Sequence, residues 1–329
     1  MKWSGLLKLT IAALAMGLIL AHWSPAGAWE MTDQGECIAG SNPGGGWDAI
    51  CRYSSAVLQK TGLVKPKIYV TNMPGGSGAV AIANVVAKRK GDPNLIVACS
   101  NALTFTIAMK RTPHNYNDVI PIAQIGIEIG GLWVKPDSKY KTLKDVIESL
   151  KTDPKSVSFA GGSAPGSLDH IKVALFAKAI GVEPTKILYV PFQGGGEALT
   201  ATLGGHTEVA ILDISEVAGQ LEAGNIRGLT VLSEKRSSKF KDIPSAYEQG
   251  VKVDFPVWRG VYMAPGVPAD AVKFWIETLQ KMVKTKEWDA EREKLGWEAS
   301  YKFGDEFTKS VKEEDIRYQA LLKELGFLK

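Results

Sequence analysis

Short apolar runs, often β-branched, alternate along this chain with longer stretches in which apolar residues recur every three or four positions. The first kind reads as buried strand and the second as amphipathic helix. Strands are predicted at Cys37–Ala39, Lys67–Thr71, Asn94–Cys99, Ile120–Gly126, Gly131–Lys135, Val157–Ala160, Ile187–Val190, Glu208–Leu212, Arg227–Leu232 and Trp258–Met263. Helices are predicted at Trp47–Lys60, Ala79–Lys90, from Leu103 onward, and at Lys144–Leu150, Leu168–Ile180, Glu197–Leu203 and Val217–Glu222. Three more close the chain, at Ala269–Lys284, Glu287–Leu295 and Asp305–Leu325. Strand then helix, repeated, implies an α/β fold with parallel-type sheets covered by helices on both faces. The repeat runs once to about residue 128 and then restarts, and the closing helices read as packing back on the first run. The expected organisation is two lobes around a cleft, residues 29–128 with 253–329 and residues 129–252.

Ahead of this pattern stands a different one. Lys2 and Lys8 give a positive start, Leu9–Ala21 is uncharged and mostly apolar, and Ala26-Gly27-Ala28 supplies small residues. That order is a cleavable secretory signal, and the apolar run falls short of the ~20 residues a membrane span needs. Cleavage after Ala28 predicts a periplasmic chain that starts at Trp29. It sheds Lys2 and Lys8 from a formal net charge of +4, leaving a bias too small and too dispersed to suggest a nucleic-acid partner. The remaining length is enough for a full core and is about where single cores divide.

Cysteine usage agrees with export. Cys37 and Cys51 bracket one loop and Cys99 stands alone. In an oxidising compartment the first two can pair, because Cys37 should open a strand and Cys51 should sit near the start of the antiparallel helix that follows. Three buried thiols is the other reading. His114, His170 and His206 are scattered and no Cys-x-x-Cys occurs, so neither a metal site nor a cofactor is expected.

Function is expected at the corners. Four glycine-rich turns each follow a strand and open a helix: Asn42–Trp47, Asn72–Gly78, Gly161–Ser167 and Phe192–Gly196. In parallel α/β sheets ligands bind at the carboxyl ends of strands. A helix N-terminus there presents unpaired N–H groups and partial positive charge. Glycine lets the backbone approach a ligand closely, so such a corner holds an anion without Lys or Arg. No turn gives a nucleotide-binding Gly-x-x-x-x-Gly-Lys-Ser/Thr or Gly-x-Gly-x-x-Gly pattern.

The candidate ligand-binding residues are Gly45, Gly46, Trp47, Asp48, Gly75, Gly76, Ser77, Ser100, Asn101, Gly162, Ser163, Ser167, Gly194, Gly195, Asp213, Trp258 and Arg259. The serines and Asn101 can contact a carboxylate or simply cap helices. Asp213 can accept from a ligand hydroxyl or cap the helix near Ser215, and Asp48 and Asp169 also fit as structural acids at helix starts. Arg259 can pair a carboxylate bidentately or form an ordinary ion pair. Trp47 can wall the cleft or belong to the core.

Several of these motifs recur together. Glu36-Cys37-Ile38-Ala39 running into Pro43-Gly44-Gly45-Gly46-Trp47-Asp48, with Cys51-Arg52 after it, resembles the substrate-binding proteins of tripartite tricarboxylate transporters, the Bug-type receptors. Thr71–Gly76, Phe159–Ser163 with Asp169-His170, Phe192–Leu199 with Leu203–His206, Asp242-Ile243-Pro244 and Trp258-Arg259-Gly260 continue the resemblance over essentially the whole exported chain. The resemblance implies a type II periplasmic binding-protein fold and a hinged cleft. It implies a carboxylate ligand, citrate-like or dicarboxylic, handed to membrane permease subunits. A monomer is expected. It also supports the Cys37–Cys51 disulfide. Pro165 departs from the pattern, since it removes an amide donor in the third turn.

Two other functions compare less well with the sequence or need the same cleft. A hydrolase has poor support, because neither Ser77 nor Ser163 sits in a complete Gly-x-Ser-x-Gly elbow. A receptor that presents its ligand to a membrane sensor kinase would need the same cleft, and sequence does not separate it from an uptake receptor.

Overall fold

The apolar runs assemble into one mixed sheet. In the computed structural model, which describes residues 29–328, the strands are β1 (Gly35–Ala39), β2 (Ile68–Asn72), β3 (Leu95–Ser100), β4 (Ile120–Val134), β5 (Ser158–Gly161), β6 (Leu188–Pro191), β7 (Val209–Asp213), β8 (Arg227–Val231), β9 (Pro256–Met263) and β10 (Lys302–Phe303). The expected signal segment, residues 1–28, lies outside the described residues. Among these, no helix is long and apolar enough to cross a membrane.

The strand order is β2-β1-β3-β9-β4-β7-β5-β6, with β8 and β10 also paired to β4. Each half keeps a parallel core, β2-β1-β3 in one and β6-β5-β7 in the other. Antiparallel β9 and β4 join them. The sheet is therefore mixed rather than purely parallel. The largest departure from expectation is β4. Two strands were anticipated around a break at 127–130, whereas one continuous strand runs Ile120–Val134, and the anticipated lobe boundary at 128/129 falls inside it. Residues 120–129 pair with β9, and residues 130–134 pair with β7 and β8.

The helices are α1 (Gly46–Lys60), α2 (Ala79–Lys88), α3 (Asn101–Ala108), α4 (Leu143–Thr152), α5 (Leu168–Ala179), α6 (Gly195–Leu203), α7 (Ile214–Glu222), α8 (Ala269–Met282), α9 (Lys286–Leu295) and α10 (Gly304–Glu324). Side-chain alternation along the strands feeds a core on each face. In β4, Leu132 and Val134 join Val209 and Ile211 of β7 on one face. Trp133 joins Ala210 and Leu212 on the other. The final helix packs on α3 and β4.

The expected disulfide is present between Cys37 in β1 and Cys51 in α1, with both sulfurs fully buried. It fastens the first glycine turn from below. Cys99 is free and buried.

Candidate ligand-binding site

The parallel strands of the two halves run in opposite senses along β4, so their carboxyl ends face each other and the turns that follow meet between them. They enclose a cavity of about 200 Å³. Of the seventeen sequence candidates, eleven line it: Gly45, Gly46 and Trp47 from the first turn, Gly76 and Ser77 from the second, Ser100 from the end of β3, Gly162 and Ser163 from the third turn, Gly194 from the fourth, Asp213 from the end of β7, and Arg259 from β9. Register explains the last two. Arg259 pairs with Ser100 on one side and Gly126 on the other, and Asp213 pairs with Gly130.

Six candidates do not line the cavity and instead brace it. Asp48 accepts from the Gly44 amide (3.0 Å), Arg52 (2.8 Å) and Asn72 (2.9 Å), locking the first turn to the second. Those partners hold its carboxyl below the usual range against the opposing effect of burial. Asn101 accepts from the Trp258 amide (2.9 Å) and donates to Tyr318 Oη (2.5 Å). The Trp258 indole donates to Glu314 (2.5 Å). Ser167 Oγ donates to the Ala102 carbonyl (3.1 Å). Gly75 is held at φ 138° over Val80. Gly195 stands behind the Glu216 carboxylate, where a Cβ would meet Oε1 at 2.3 Å.

The second turn carries visible backbone strain. Gly75, Gly76, Ser77 and Gly78 all have positive φ, and Ser77, at φ 50°, pays for it without glycine's freedom. The conformation is held from outside. Thr106 Oγ1 donates to the Ser77 carbonyl (3.0 Å), and Ser77 Oγ accepts the Ala164 amide of the third turn (2.8 Å). Such enforced strain is typical of ligand clamps.

The two halves of the molecule meet over the cavity through direct bonds. The Asn42 amide donates to the Gln193 carbonyl (3.0 Å), and its side chain donates to Glu197 (2.5 Å). Several corner amides are thus already engaged by the protein: Gly44 by Asp48, Ala164 by Ser77, and Gly46 by Glu216 Oε1 (3.0 Å). Trp47 donates its indole N–H to Ser100 Oγ (2.9 Å) and fills the space above Gly40 and Gly78. Ser41 Oγ also borders the cavity, is buried, and has no hydrogen-bond partner.

Beneath the cavity lies a buried charge cluster that sequence reasoning largely missed. Arg259 pairs with Glu128 and with Asp213 (2.6 Å). Lys172 pairs with Asp213 and with Asp169 (2.9 Å). Glu128 also accepts from the Ser215 amide (3.0 Å) and hydroxyl (3.1 Å). Burial works against charging Lys172 and Arg259, but the acids around them outweigh it and hold both firmly protonated. Asp169 is pushed up by burial first, with Lys172 opposing. Glu216 is pushed up to about 8, by burial and then by Asp213 and Asp169. Asp169 was read as a structural helix-start acid, yet it lines the cavity, as do Glu216 and the main-chain-rich positions Gly40, Ser41, Ala164 and Gln193.

Comparison with known proteins places this geometry among receptors. Residues 55–327 match the family model described as TctC, tripartite tricarboxylate transporter family receptor. The chain is similar to the solved periplasmic binding protein BugD, at a TM-score of 0.83 and 20% identity, covering 91% of this chain and 99% of that one. It is similar to MatC from Rhodopseudomonas palustris with bound malate, at a TM-score of 0.78 and 19% identity over 88% and 99% of the two chains. It is also similar to an R. palustris protein solved with adipate, at a TM-score of 0.78 and 24% identity over 90% and 98%.

Proposed function

Because this chain belongs to the tripartite tricarboxylate transporter receptor family, a family of solute-binding receptors and not of enzymes, we propose that its cavity captures a small organic di- or tricarboxylate in the periplasm for delivery to the family's membrane permease. The observation that carries this reading is the convergence of four glycine-rich corners on one cavity, where the carboxyl ends of the parallel strands in both halves face each other. Amides and helix N-termini gathered there favour a negative guest. Relatives of the same fold hold malate and adipate, acids of a size that suits a cavity of about 200 Å³.

The energetics are adequate. A hydrogen bond to a charged group contributes about 1.5–3 kcal/mol net, and micromolar affinity needs about 8 kcal/mol. A handful of such contacts offsets the entropy of capture. The guest bridges the two halves of the sheet and stabilises the closed arrangement by mass action. The halves act as the lobes of the hinged cleft, with β4 as the strand that runs from one into the other.

A thermal-shift screen against citrate, malate, succinate, adipate, sugars and cationic amines tests this. Acids are expected to raise the transition temperature, with malate or adipate among them. Stabilisation by sugars or amines alone would remove the carboxylate reading. Uptake of the selected acid in a deletion strain then tests delivery: unchanged uptake would argue against a permease partner.

A further inference from the structure

The charge cluster under the cavity carries a consequence for how an acid is received, and this consequence rests on the carboxylate reading above. Three buried acids, Glu128, Asp169 and Asp213, and the half-buried Glu216 face only two cations, Lys172 and Arg259. Arg259 and Lys172 are both committed to Asp213, and each to one further acid. Glu216 alone of the four has no cation in an ion pair among the described residues. Its two oxygens take main-chain amides instead, Gly46 at the start of α1 (3.0 Å) and Asp213 (3.1 Å). Glu216 therefore occupies the anion position that the first glycine corner was expected to offer a ligand, and it borders the cavity from there.

The groups facing Glu216 come from every element around it. Asp213 lies at the end of β7, Asp169 and Lys172 lie on α5, and Arg259 lies on β9. Tyr189 of β6 senses its charge as well. The surrounding acid is in excess, so a second negative charge beside Glu216 is strongly disfavoured unless a proton is present.

We propose that Glu216 is the specificity-determining residue of this cavity: it keeps the α1 amide for itself and meets the ligand carboxylate as a neutral, hydrogen-donating carboxylic acid. The ligand's carboxylates are then held by the second, third and fourth corners, and one of them accepts the Glu216 proton. The group is poised for this role, because burial and the neighbouring acids push it up to about 8. The sign follows directly. An anionic guest favours the protonated form, so affinity is full below that value and is lost as pH rises through it.

Calorimetry on the purified protein tests the idea, with the tightest binder among citrate, malate, succinate and adipate as the probe. Between pH 7 and pH 9 the dissociation constant is expected to rise about tenfold, the value for one linked proton titrating near 8. At pH 8.5, titrations in buffers of differing ionisation enthalpy should report uptake of about three-quarters of a proton. Glu216→Gln should remove both effects. A pH-independent constant without proton uptake, proton release, or an unchanged pH profile in Glu216→Gln would overturn the proposal. If that variant does not fold, the wild-type proton count decides alone. If no acid of the panel binds at any pH, the carboxylate reading itself fails, which is a different outcome from binding without proton linkage.

Discussion

Replacing Lys172 by methionine is the sharpest test of the charge cluster. Lys172 is fully buried on α5 and supplies the only cation paired with Asp169 among the described residues. Methionine keeps the stem's volume and removes the charge, leaving Asp169 buried without a cation and Asp213 with Arg259 alone. Breaking a buried ion pair from one side costs about 3–5 kcal/mol, because the stranded charge stays buried. For a chain of this size that is a fall in transition temperature of about 5–8 °C at pH 7.5. The pH dependence fixes the cause. Asp169 is already pushed up by burial, and losing Lys172 pushes it further. A carboxyl whose folded value is raised favours the folded state below its unfolded value, and that benefit is lost as pH rises through the folded one. The deficit of Lys172→Met should therefore shrink between pH 7.5 and pH 5. The double variant Lys172→Met/Asp169→Leu, which removes both charges, should be more stable than the single one. Thermal and urea unfolding measure all three. A deficit under about 1 kcal/mol, or one that stays constant or grows toward pH 5, would refute the reasoning.

Three further outcomes are expected. Cys37→Ala/Cys51→Ala opens a loop with a sequence separation of 14, which the chain-entropy model values at roughly 3 kcal/mol; oxidised wild type and the variant should differ by that much in urea, and equal midpoints would contradict it. Ser77→Ala leaves the strained φ in place but removes the acceptor of the Ala164 amide, so it should weaken ligand binding several-fold more than it lowers stability, as read by calorimetry beside thermal unfolding. His170, lowered to about 4 by burial and then by Arg111, accepts the Gly166 amide at Nδ1 (2.8 Å) and stacks on Tyr189; its ring resonances should not titrate between pH 8 and 5.5. The stability it contributes is present above the ordinary histidine value and declines as pH falls toward 4.

Most of the fold was legible because its signals are local. The run Leu95–Ser100 is buried throughout, and the stripe Trp47, Ile50, Cys51, Ser54, Val57 and Leu58 faces inward on α1. Strand β4 departs from its sequence pattern for a physical reason. Gly130-Gly131 looks like a break, yet these glycines sit in pairing distance of β7 and β8 because no side chain fits there. A Cβ at 130 would meet the Lys172 stem at 2.9 Å, and one at 131 would meet the Trp133 ring at 2.4 Å. Glycine in a strand marks close approach as readily as a turn. The corners were legible for the same local reason, whereas the charge cluster was not. Glu128, Asp169, Lys172, Asp213, Glu216 and Arg259 come from five elements, and only Asp169 with Lys172 and Asp213 with Glu216 stand at a spacing that pairs them. One clue was available: Lys172 lies between Leu168 and Phe176 at helical spacing, on a stripe that is otherwise apolar and buried. A lysine in that position is buried with partners, not solvated.

The way the corners are occupied bears on how closure is controlled. The protein satisfies several of its own corner amides: Asn42 with Gln193, Ala164 with Ser77, Gly46 with Glu216. Each of these bonds joins one half of the sheet to the other, so each stabilises the closed arrangement by itself. A ligand gains nothing from donors it must take from the protein at equal strength, and its net affinity comes from groups left without partners and from charge. The Ser41 hydroxyl, buried beside the cavity with no partner among the described residues, is one such group. The Glu216 proton proposed above would be another, since both oxygens of that carboxyl already accept amides. Discrimination between acids then follows less from how many amides the corners present than from which acid places an oxygen where that hydrogen points. A longer dicarboxylate and a shorter one reach it differently, so Glu216→Gln, which still donates, should preserve the ranking of acids, whereas Glu216→Leu, which cannot, should flatten it.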